Sequence, residues 1–576
     1  MRLGNIFRNR TVRSARKPGR PVRGKARSAR RQLVLESLEQ RHLLSVVTIT
    51  ADDLGGNGSN NFLADEFRLL RNGTDLEVYI NGNLSSTTPL AGLTGINVLG
   101  SSDSDTLIID LAGGTFAVPI YFDGEALGSS LVDLDQLVLV GNPGSPIGRM
   151  SYFAGALFGG GADDGQIVID PDDNAGPGAG YPGHPGAWNG DEMFITFQNL
   201  SPVIDTVPAA QLDIFATNAS EIISIVDGPV VGTDQTITVR SDSGTFEAYS
   251  FANKTRVTVN SLDGSDVFNL NYHVAVPGLQ FLDIYGNEFT GGTLESDDAK
   301  GETFNILATG PGPQSNRMYG QNGSELYTNA ATKYLDAIQS NVQMHGQAGL
   351  SVIDLSDIND PTGDNIQFFG DRIIGASPGT IELYFATIED IRFEATSGDD
   401  VITILSTFAP FQYRISGGPG SDVFRVGSYG PPTALNWAPF GTGVNTIGQI
   451  KGPLTIIPGP ASDTGVDSLY VDDSGGLLGY TTAQINDAAG GNVLSRTTTL
   501  LNFDAAAPIR YEYTPGGSTL ENLYLHTSQS ADTLTVNATT ADHTEINLGP
   551  GNDASTLIIN GDSLGGDNVF LGGTGT

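Results

Sequence analysis

Apolar and polar residues alternate along most of the chain, in short runs that end at polar turn residues. Five segments share one pattern: two apolar residues two positions apart, a polar stretch, an acid nine positions after the first residue, and renewed alternation. They are INVLGSSDSDTLII from Ile96, LDIFATNASEIISI from Leu212, VTVNSLDGSDVFNL from Val257, IRFEATSGDDVITI from Ile391 and LYLHTSQSADTLTV from Leu523. Alternate side chains of a strand point to opposite faces, and Asp, Asn, Ser and Gly favour turns. Each segment therefore predicts a strand, a turn and a second strand.

The acids of this pattern have counterparts further along the chain. The first set is Asp105, Glu221, Asp266, Asp400 and Asp532, and the second set, 20 to 22 residues later, is Glu125, Asp242, Glu288, Asp422 and Asp553. This spacing is typical of one coil of a β-solenoid, in which stacked coils pair with each other and tolerate short strands and Gly-rich turns. We therefore predict an all-β fold, an irregular right-handed parallel β-helix or β-solenoid. Tandem β-sandwich domains, which also have short strands separated by turns, are the alternative.

The chain divides into four parts. Residues 1–45 form a basic leader rich in Arg, Ser, Gly and Pro, for which we expect disorder because it cannot bury enough apolar surface. Residues 46–205, 206–395 and 396–576 form three β repeat regions, and the first contains a Pro/Gly-rich loop at 171–190. The last segment, GGDNVFLGGTGT, stops at Thr576 where its register predicts another Asp, so we expect the third region to be truncated.

Charge separates the leader from the rest of the chain. Of 29 Lys and Arg residues, 13 lie between Arg2 and Arg41, and the chain from Ser45 onward carries 16 basic and 63 acidic residues, a formal charge of −47. Such a charge repels phosphate, so we expect no nucleic-acid partner. No run approaches the roughly 18 apolar residues of a transmembrane helix, so we expect no transmembrane segment. With no Cys, the protein has no disulfide framework.

The end of the leader carries a short motif, LEQRHLLS at 38–45. It resembles the LEPR-XLL motif of large exported and cell-surface proteins of planctomycete-type bacteria, with Gln40 in place of the Pro. The residues that carry the resemblance are Leu38, Glu39, Arg41, Leu43 and Leu44. The resemblance implies export to the cell surface or the extracellular space, and it implies no activity.

Later segments, among them GGPGSDVFRVGSY and EINLGPGND, resemble the degenerate repeats of bacterial surface proteins related to the RTX, or haemolysin-type, family. In that family the nonapeptide G-G-x-G-x-D-x-U-x forms a turn whose carbonyls and Asp bind Ca²⁺. Residues 417–425 match every fixed position, whereas 548–556 depart at Leu548 and Ser555. The resemblance implies Ca²⁺ as a ligand, with the candidate residues Gly418, Gly420, Asp422, Asp553 and Asp567. A turn acid without a metal is the alternative for each Asp.

Motifs of enzymes occur in contexts that do not fit them. GASPG at 375–379 precedes TIELYF, which predicts a strand where a nucleophile elbow requires a helix, and GAGYPG at 178–183 lies in a Pro/Gly-rich loop. The six His residues have no metal-ligand spacing. We therefore predict no enzymatic activity, but a structural or adhesive repeat protein. Its expected partners are components of the cell envelope or extracellular matrix, including polysaccharide. The alternative is a β-helical carbohydrate-active enzyme, a polysaccharide lyase or hydrolase whose carboxylates perform acid/base chemistry. The oligomeric state stays open.

Overall fold

The structure is a computed structural model. It describes residues 45–50, 64–101, 104–124, 135–142, 144–173, 190–286, 289–290, 293–294, 301–320, 323–346, 349–384, 388–409, 411–427, 446–460, 462–476, 483–487, 497–500, 509–512, 520–536, 541–551, 553–557 and 567–571. The basic leader, the five residues of the LEPR-XLL-like motif, and most of the Pro/Gly-rich loop lie outside these ranges. Contacts between residues separate the chain into two units, Met1–Leu43 and Leu44–Thr576.

Short strands make up most of the described residues. In chain order they are β1 Ser45–Thr50, β2 Glu66–Asn72, β3 Asp75–Ile80, β4 Asn83–Pro89, β5 Leu93–Leu99, β6 Thr106–Asp110, β7 Ile120–Asp123, β8 Gln136–Val140, β9 Ile147–Ala154, β10 Gly165–Asp170, β11 Met193–Gln198, β12 Val203–Asp205, β13 Ala209–Phe215, β14 Ile222–Val231, β15 Asp234–Ser241, β16 Tyr249–Phe251, β17 Lys254–Asn260, β18 Val267–Asn271, β19 Phe281–Tyr285, β20 Phe289–Thr290, β21 Thr293–Leu294, β22 Thr303–Ala308, β23 Ser315–Tyr319, β24 Leu326–Thr328, β25 Asn341–His345, β26 Ser351–Ser356, β27 Asn365–Phe369, β28 Arg372–Ile374, β29 Ile381–Tyr384, β30 Ile388–Glu394, β31 Val401–Ile404, β32 Gln412–Ser416, β33 Val423–Val426, β34 Leu454–Ile457, β35 Ser468–Asp472, β36 Ala483–Asp487, β37 Thr497–Leu500, β38 Ile509–Glu512, β39 Asn522–His526, β40 Thr533–Val536, β41 His543–Asn547, β42 Ala554–Leu557 and β43 Asp567–Leu571. Short 3-10 helices cover Leu111–Gly113, Gly155–Phe158 and Ile447–Gln449.

Two long sheets contain all of these strands except the pair β20–β21. Sheet I runs in the order β1-β5-β7-β11-β10-β9-β13-β17-β19-β23-β25-β29-β28-β27-β31-β33-β35-β39-β41-β43. Sheet II runs in the order β4-β3-β2-β6-β8-β12-β16-β15-β14-β18-β22-β24-β26-β30-β32-β34-β38-β37-β36-β40-β42. The fold is therefore all-β, as the alternation predicts.

Most neighbouring strands are parallel and lie one crossover apart in the chain. The antiparallel exceptions are local hairpins inserted into the ladders: β9 to β11 and β27 to β29 in sheet I, and β2 to β4, β14 to β16 and β36 to β38 in sheet II. This pairing differs from the antiparallel sheets of a β-sandwich. Sheet II continues across positions 205 and 395, because β12 pairs with β16 and β30 pairs with β32. Sheet I continues across the same positions, because β9 pairs with β13 and β27 pairs with β31.

The predicted strand, turn and strand units cross from one sheet to the other instead of forming hairpins. In the first unit, β5 lies in sheet I and β6 lies in sheet II. Every second residue of a typical strand is buried, as in β8, where Leu137 and Leu139 are fully buried between partly exposed neighbours. Buried apolar residues from both sheets form one core cluster. The period of two thus places one face of each strand in this core.

Because the strands pair in parallel and in register, similar side chains stack on each other. The rings of Phe268, Phe304 and Tyr327 on β18, β22 and β24 stack at 5.1 and 4.9 Å between centroids. These distances match the separation of about 4.8 Å between neighbouring strands. Within the described residues, no helix has the length and apolarity to cross a membrane.

Candidate functional site

The nonapeptide at 417–425 forms the connection from β32 to β33 and the first three residues of β33. Its glycines have backbone conformations that other residues rarely adopt, with φ of +83° at Gly418 and +142° at Gly420. A Cβ at these positions would lie 2.2 Å from the backbone oxygen of Thr396 and 2.3 Å from that of Gly398. Glycine is therefore needed for two reasons, the positive φ and the close approach of the turn at 396–399.

Asp422 ends this turn and is fully buried. Its Oδ1 accepts a hydrogen bond of 2.8 Å from the backbone N–H of Asp400, and its own N–H donates to Oδ1 of Asp467 at 2.9 Å. Its Oδ2 is buried and has no hydrogen-bond partner within the residues that the structure describes. Burial, helped by the charges of Asp467, Asp400 and Asp463, raises the pKa of Asp422 to about 8, although the hydrogen bond from Asp400 lowers it. The hydrogen bond from Asp400 thus does not offset the cost of burying the charged form of Asp422.

The hydrogen bond between Asp400 and Asp422 belongs to a series that we call the carboxylate ladder. Each acid of the ladder lies directly before a strand, and its side chain accepts a hydrogen bond from the backbone N–H of the preceding acid in the series. In sheet I it links Asp364, Asp400, Asp422, Asp467 and Glu521, with distances of 2.6, 2.8, 2.9 and 2.6 Å. In sheet II it links Asp65 to Asp105 to Asp135, Glu221 to Asp266, and Asp532 to Asp553. The carboxylate ladder thus satisfies backbone N–H groups just before the strands, where the hydrogen bonding between strands begins.

The predicted spacing of 20 to 22 residues holds at two of its positions. Asp400 and Asp422, 22 residues apart, are hydrogen-bonded, and so are Asp532 and Asp553, 21 residues apart. The prediction is wrong for Asp242, which accepts from the Ser224 hydroxyl and from Arg240, outside the ladder. A hairpin inserted after β14 lengthens the chain before the next ladder acid. Glu125 and Glu288 lie outside the described residues.

In several turns, the residue four positions before a ladder acid donates a hydrogen bond to that acid. In four turns this residue donates to the acid: Ser101 to Asp105, Thr217 to Glu221, Thr396 to Asp400 and Ser528 to Asp532. Before Asp422 and Asp553 the equivalent residue is a glycine in the left-handed region, Gly418 or Gly549. In both acids Oδ2 is buried and has no hydrogen-bond partner among the described residues. The two RTX-like turns therefore lack the Ser or Thr donor of the other four turns, although a buried Oδ2 without a hydrogen-bond partner also occurs at another ladder acid, Asp364.

Further carboxylates surround the turn before β33. Oδ1 of Asp463 accepts from the N–H groups of Gly420 and Gly465 at 3.2 and 3.0 Å, and Oδ1 of Asp399 accepts from Ser421 at 2.8 Å. The Oδ2 of Asp463 is buried and has no hydrogen-bond partner within the part of the chain that the structure describes. The carboxylates around this turn offer oxygen atoms, which are the ligands of hard cations.

The sequence-predicted calcium residues do not form one site. Asp422 precedes β33 in sheet I, and Asp553 precedes β42 in sheet II. Asp567 is the first residue of β43, which is separated from β33 by three strands of sheet I, and its side chain lies outside the description. Among the described residues, two groups of three acids have carboxylate oxygens within 4.8 Å of one another, and Asp422 belongs to neither group. A cation at Asp422 would therefore also need backbone carbonyl ligands.

Those groups are Asp357, Asp360 and Asp364, and Asp170, Asp172 and Asp191. Sequence reasoning missed both. The first has a signal, three acids in the eight residues DINDPTGD between two strands. The second brings together residues on either side of the Pro/Gly-rich loop, and only the tertiary structure shows that they meet.

A surface pocket of about 460 Å³ lies at the hairpin of β28 and β29, lined by Asp371, Arg372, Glu382, Leu383, Tyr384 and Phe408. Its two carboxylates are engaged: Asp371 pairs with Arg372 at 2.9 Å, and Glu382 accepts from Gln343 and the Tyr384 hydroxyl. Ser377 of the GASPG motif precedes strand β29, as its sequence context predicts.

The chain matches no protein-family model, and no curated protein matches it.

Proposed function

We propose that this protein is an exported structural or adhesive repeat protein of the cell surface or extracellular space. In this proposal it is built as a β-solenoid, and the RTX-like turns at Asp422 and Asp553 bind Ca²⁺. Its partners are components of the cell envelope or extracellular matrix, among them polysaccharide.

Strand order supports the solenoid. The chain passes repeatedly between sheets I and II, and each strand then pairs in parallel with a strand from the previous passage, as β13, β17 and β19 do in sheet I and β14, β18 and β22 do in sheet II. A stack of this kind grows by adding passages, and surface proteins use such arrays as extended structural segments.

The partnerless oxygen of Asp422 carries the calcium proposal. A buried carboxylate oxygen without a donor costs folding free energy, and a bound cation removes this cost. Gly418 and Gly420 let backbone oxygens approach the same turn, because they admit its positive φ angles. Extracellular calcium modules bind with dissociation constants of roughly 10⁻⁴ to 10⁻³ M, so a site with few carboxylates suits that environment.

Calorimetric unfolding of the full chain tests this proposal. In about 0.15 M NaCl, which screens diffuse charge effects, Ca²⁺ should raise the unfolding temperature more than Mg²⁺ does. The stabilisation should be about 2.7 kcal/mol at a hundredfold excess over the dissociation constant. Asp422→Asn should remove part of this response, whereas Asp242→Asn, outside the ladder, should not. Equal responses to Ca²⁺ and Mg²⁺ that disappear in salt would exclude coordination.

Pocket residues favour the second candidate, a carbohydrate-active enzyme. Tyr384, 44% exposed, offers a face for a sugar ring beside the carboxylates of Asp371 and Glu382. Release of sugar products from bacterial surface polysaccharides by the full chain, and its loss in Glu382→Gln, would establish this activity. Binding without product release would favour adhesion instead.

A further inference from the structure

The loop from β26 to β27 brings several acids together. One carboxylate oxygen each of Asp357, Asp360 and Asp364 lies within 4.8 Å of the other two. Asp336, from an earlier segment, lies beside Asp360, and burial together with the Asp360 charge raises the pKa of Asp336. Four carboxylates from two chain segments thus converge at one end of the strands.

Asp357 belongs to this cluster and has a buried carboxylate oxygen without a hydrogen-bond partner among the described residues. The residue is fully buried, and its Oδ1 accepts a hydrogen bond of 2.7 Å from the backbone N–H of Leu335. Its Oδ2 is buried and has no hydrogen-bond partner in the described part of the chain, and the same holds for Oδ2 of Asp364. An unsatisfied buried polar atom in a native fold requires an explanation, of which an ion is one.

No positive side chain among the described residues forms an ion pair with this cluster. Among the ion pairs of the described residues, none involves Asp336, Asp357, Asp360 or Asp364. Like charges at such short range repel strongly where water is excluded. A bound cation would remove both the repulsion and the missing partners.

The backbone holds these acids in place from the neighbouring strand segment. Ser397 donates to the backbone oxygen of Asp360 through its N–H at 2.8 Å and its hydroxyl at 2.9 Å. The N–H of Asp364 donates to Asp400 at 2.6 Å, and the N–H of Asp357 donates to the oxygen of Glu394 at 2.8 Å. The loop is therefore preorganised, which reduces the entropy lost when a ligand binds.

We propose that Asp357, Asp360 and Asp364, with Asp336 at the rim, bind one Ca²⁺ ion. All the side-chain donors are oxygens, which favours a hard cation over zinc. Oxygens up to 4.8 Å apart can share one Ca²⁺, because its ligand sphere, with bonds of about 2.3 to 2.6 Å, is about 5 Å across. Mg²⁺, with bonds of about 2.0 to 2.1 Å and strict octahedral geometry, fits such a spread less well.

The site differs in place and ligands from the turn at Asp422, and it does not depend on the calcium binding proposed there. It joins the end of β26 in sheet II, the start of β27 in sheet I and the segment around Asp336. An ion at this position would hold the crossover between the two sheets.

Titration calorimetry of the full chain with Ca²⁺ in about 0.15 M NaCl is the first test. Asp357→Asn and Asp364→Asn keep the shape of each side chain and remove one ligand charge. Each should weaken Ca²⁺ binding about tenfold or more, because ligand charge sets affinity. The matched control is Asp354→Asn, which removes an exposed carboxylate from β26 and should leave the affinity unchanged. Equal losses in all three variants, unchanged affinity in Asp364→Asn, or no binding by the unaltered chain would overturn the proposal.

Terbium luminescence locates the ion without altering a ligand. Tb³⁺ replaces Ca²⁺ at oxygen sites and emits when a nearby Tyr absorbs light, and the Tyr334 hydroxyl lies 3.4 Å from Oδ2 of Asp336. Tyr334→Phe should lose most of the Ca²⁺-displaceable emission, whereas Tyr384→Phe should retain it. Retained emission in Tyr334→Phe would overturn the site. Asp422→Asn should leave this emission intact, so failure of the turn at Asp422 and failure of this site give different results.

Discussion

The backbone N–H of Asp400 donates a hydrogen bond of 2.8 Å to Oδ1 of Asp422, 22 residues further along the chain. The Asp422 carboxylate therefore extends the hydrogen bonding between strands to the residue just before β33. A side chain that takes over a backbone role is sensitive to substitution, since its removal leaves a buried donor unsatisfied.

Substitution of Asp422 should separate this hydrogen bond from the charge. In EDTA at pH 7, Asp422→Ala should lower the free energy of unfolding by about 1 to 3 kcal/mol, because the Asp400 N–H loses its acceptor. Asp422→Asn keeps an acceptor oxygen and should cost clearly less. Urea unfolding followed by circular dichroism measures both values. Equal losses in the two variants would show that the hydrogen bond is not what Asp422 contributes.

Glu247 should make stability depend on pH. It is 6% exposed, and burial raises its pKa to about 7, although the Ala248 N–H lowers it. The folded protein thus holds this proton more tightly than the unfolded chain does, so the unfolding free energy should fall as pH rises from about 4.5 to about 7. The contribution is on the order of 3 kcal/mol. Urea unfolding at several pH values should show a smaller slope in Glu247→Gln, and an unchanged slope would contradict the assignment.

Lys254 and Asp205 form an ion pair with both side chains fully buried, at 2.8 Å. Burial lowers the pKa of Lys254, and Asp205 raises it. Lys254→Met should cost about 3 to 5 kcal/mol, because Asp205 then keeps a buried charge without a cation. Asp205 also accepts a hydrogen bond of 2.8 Å from the Tyr249 hydroxyl, and an Asn at position 205 can accept the same hydrogen bond. The double variant Lys254→Met/Asp205→Asn should therefore recover much of the loss, and a single-variant cost under about 1 kcal/mol would be inconsistent with this account.

Gly418→Ala should destabilise more than Gly73→Ala. Both glycines have positive φ, +83° and +61°, so both variants carry a strain of about 1 to 2 kcal/mol. Gly73 has open space around a new Cβ, whereas at Gly418 the new atom would lie 2.2 Å from the Thr396 oxygen. The difference between the two unfolding midpoints measures the contact alone. Similar midpoints would mean that the turn at 396–399 moves away at little cost.

Deletion of residues 1–43 should leave the unfolding temperature unchanged and keep the protein inside the cell. The first described strand begins at Ser45, and Met1–Leu43 separates as its own unit. Calorimetry of the purified variant and fractionation of the producing bacterium measure the two effects. A control with Gln40 replaced by Pro, closer to the LEPR-XLL motif, should be exported normally. Export of the deletion variant would refute the address function of the leader.

The alternation of apolar and polar residues was enough to predict strands, because its period of two is a local property of the backbone. It placed a turn before β6 and before β33, and it placed the acids Asp105 and Asp422 at the strand starts. The spacing between Asp400 and Asp422 was also visible in the sequence, since no hairpin interrupts that passage of the chain.

Where segments are inserted between the strands, only the tertiary structure decided which strands and which acids meet. Asp105 contacts Asp135 and Glu221 contacts Asp266, since inserted segments such as the hairpin after β14 change the length between stacked strands. The pairing of Lys254 with Asp205, and of Asp336 with the loop at 357–364, likewise depends on residues far apart in the chain. Local patterns determine how one strand presents its faces, but burial, pairing and charge compensation are settled only when neighbouring strands stack, because each carboxylate finds its donor or its cation in another segment.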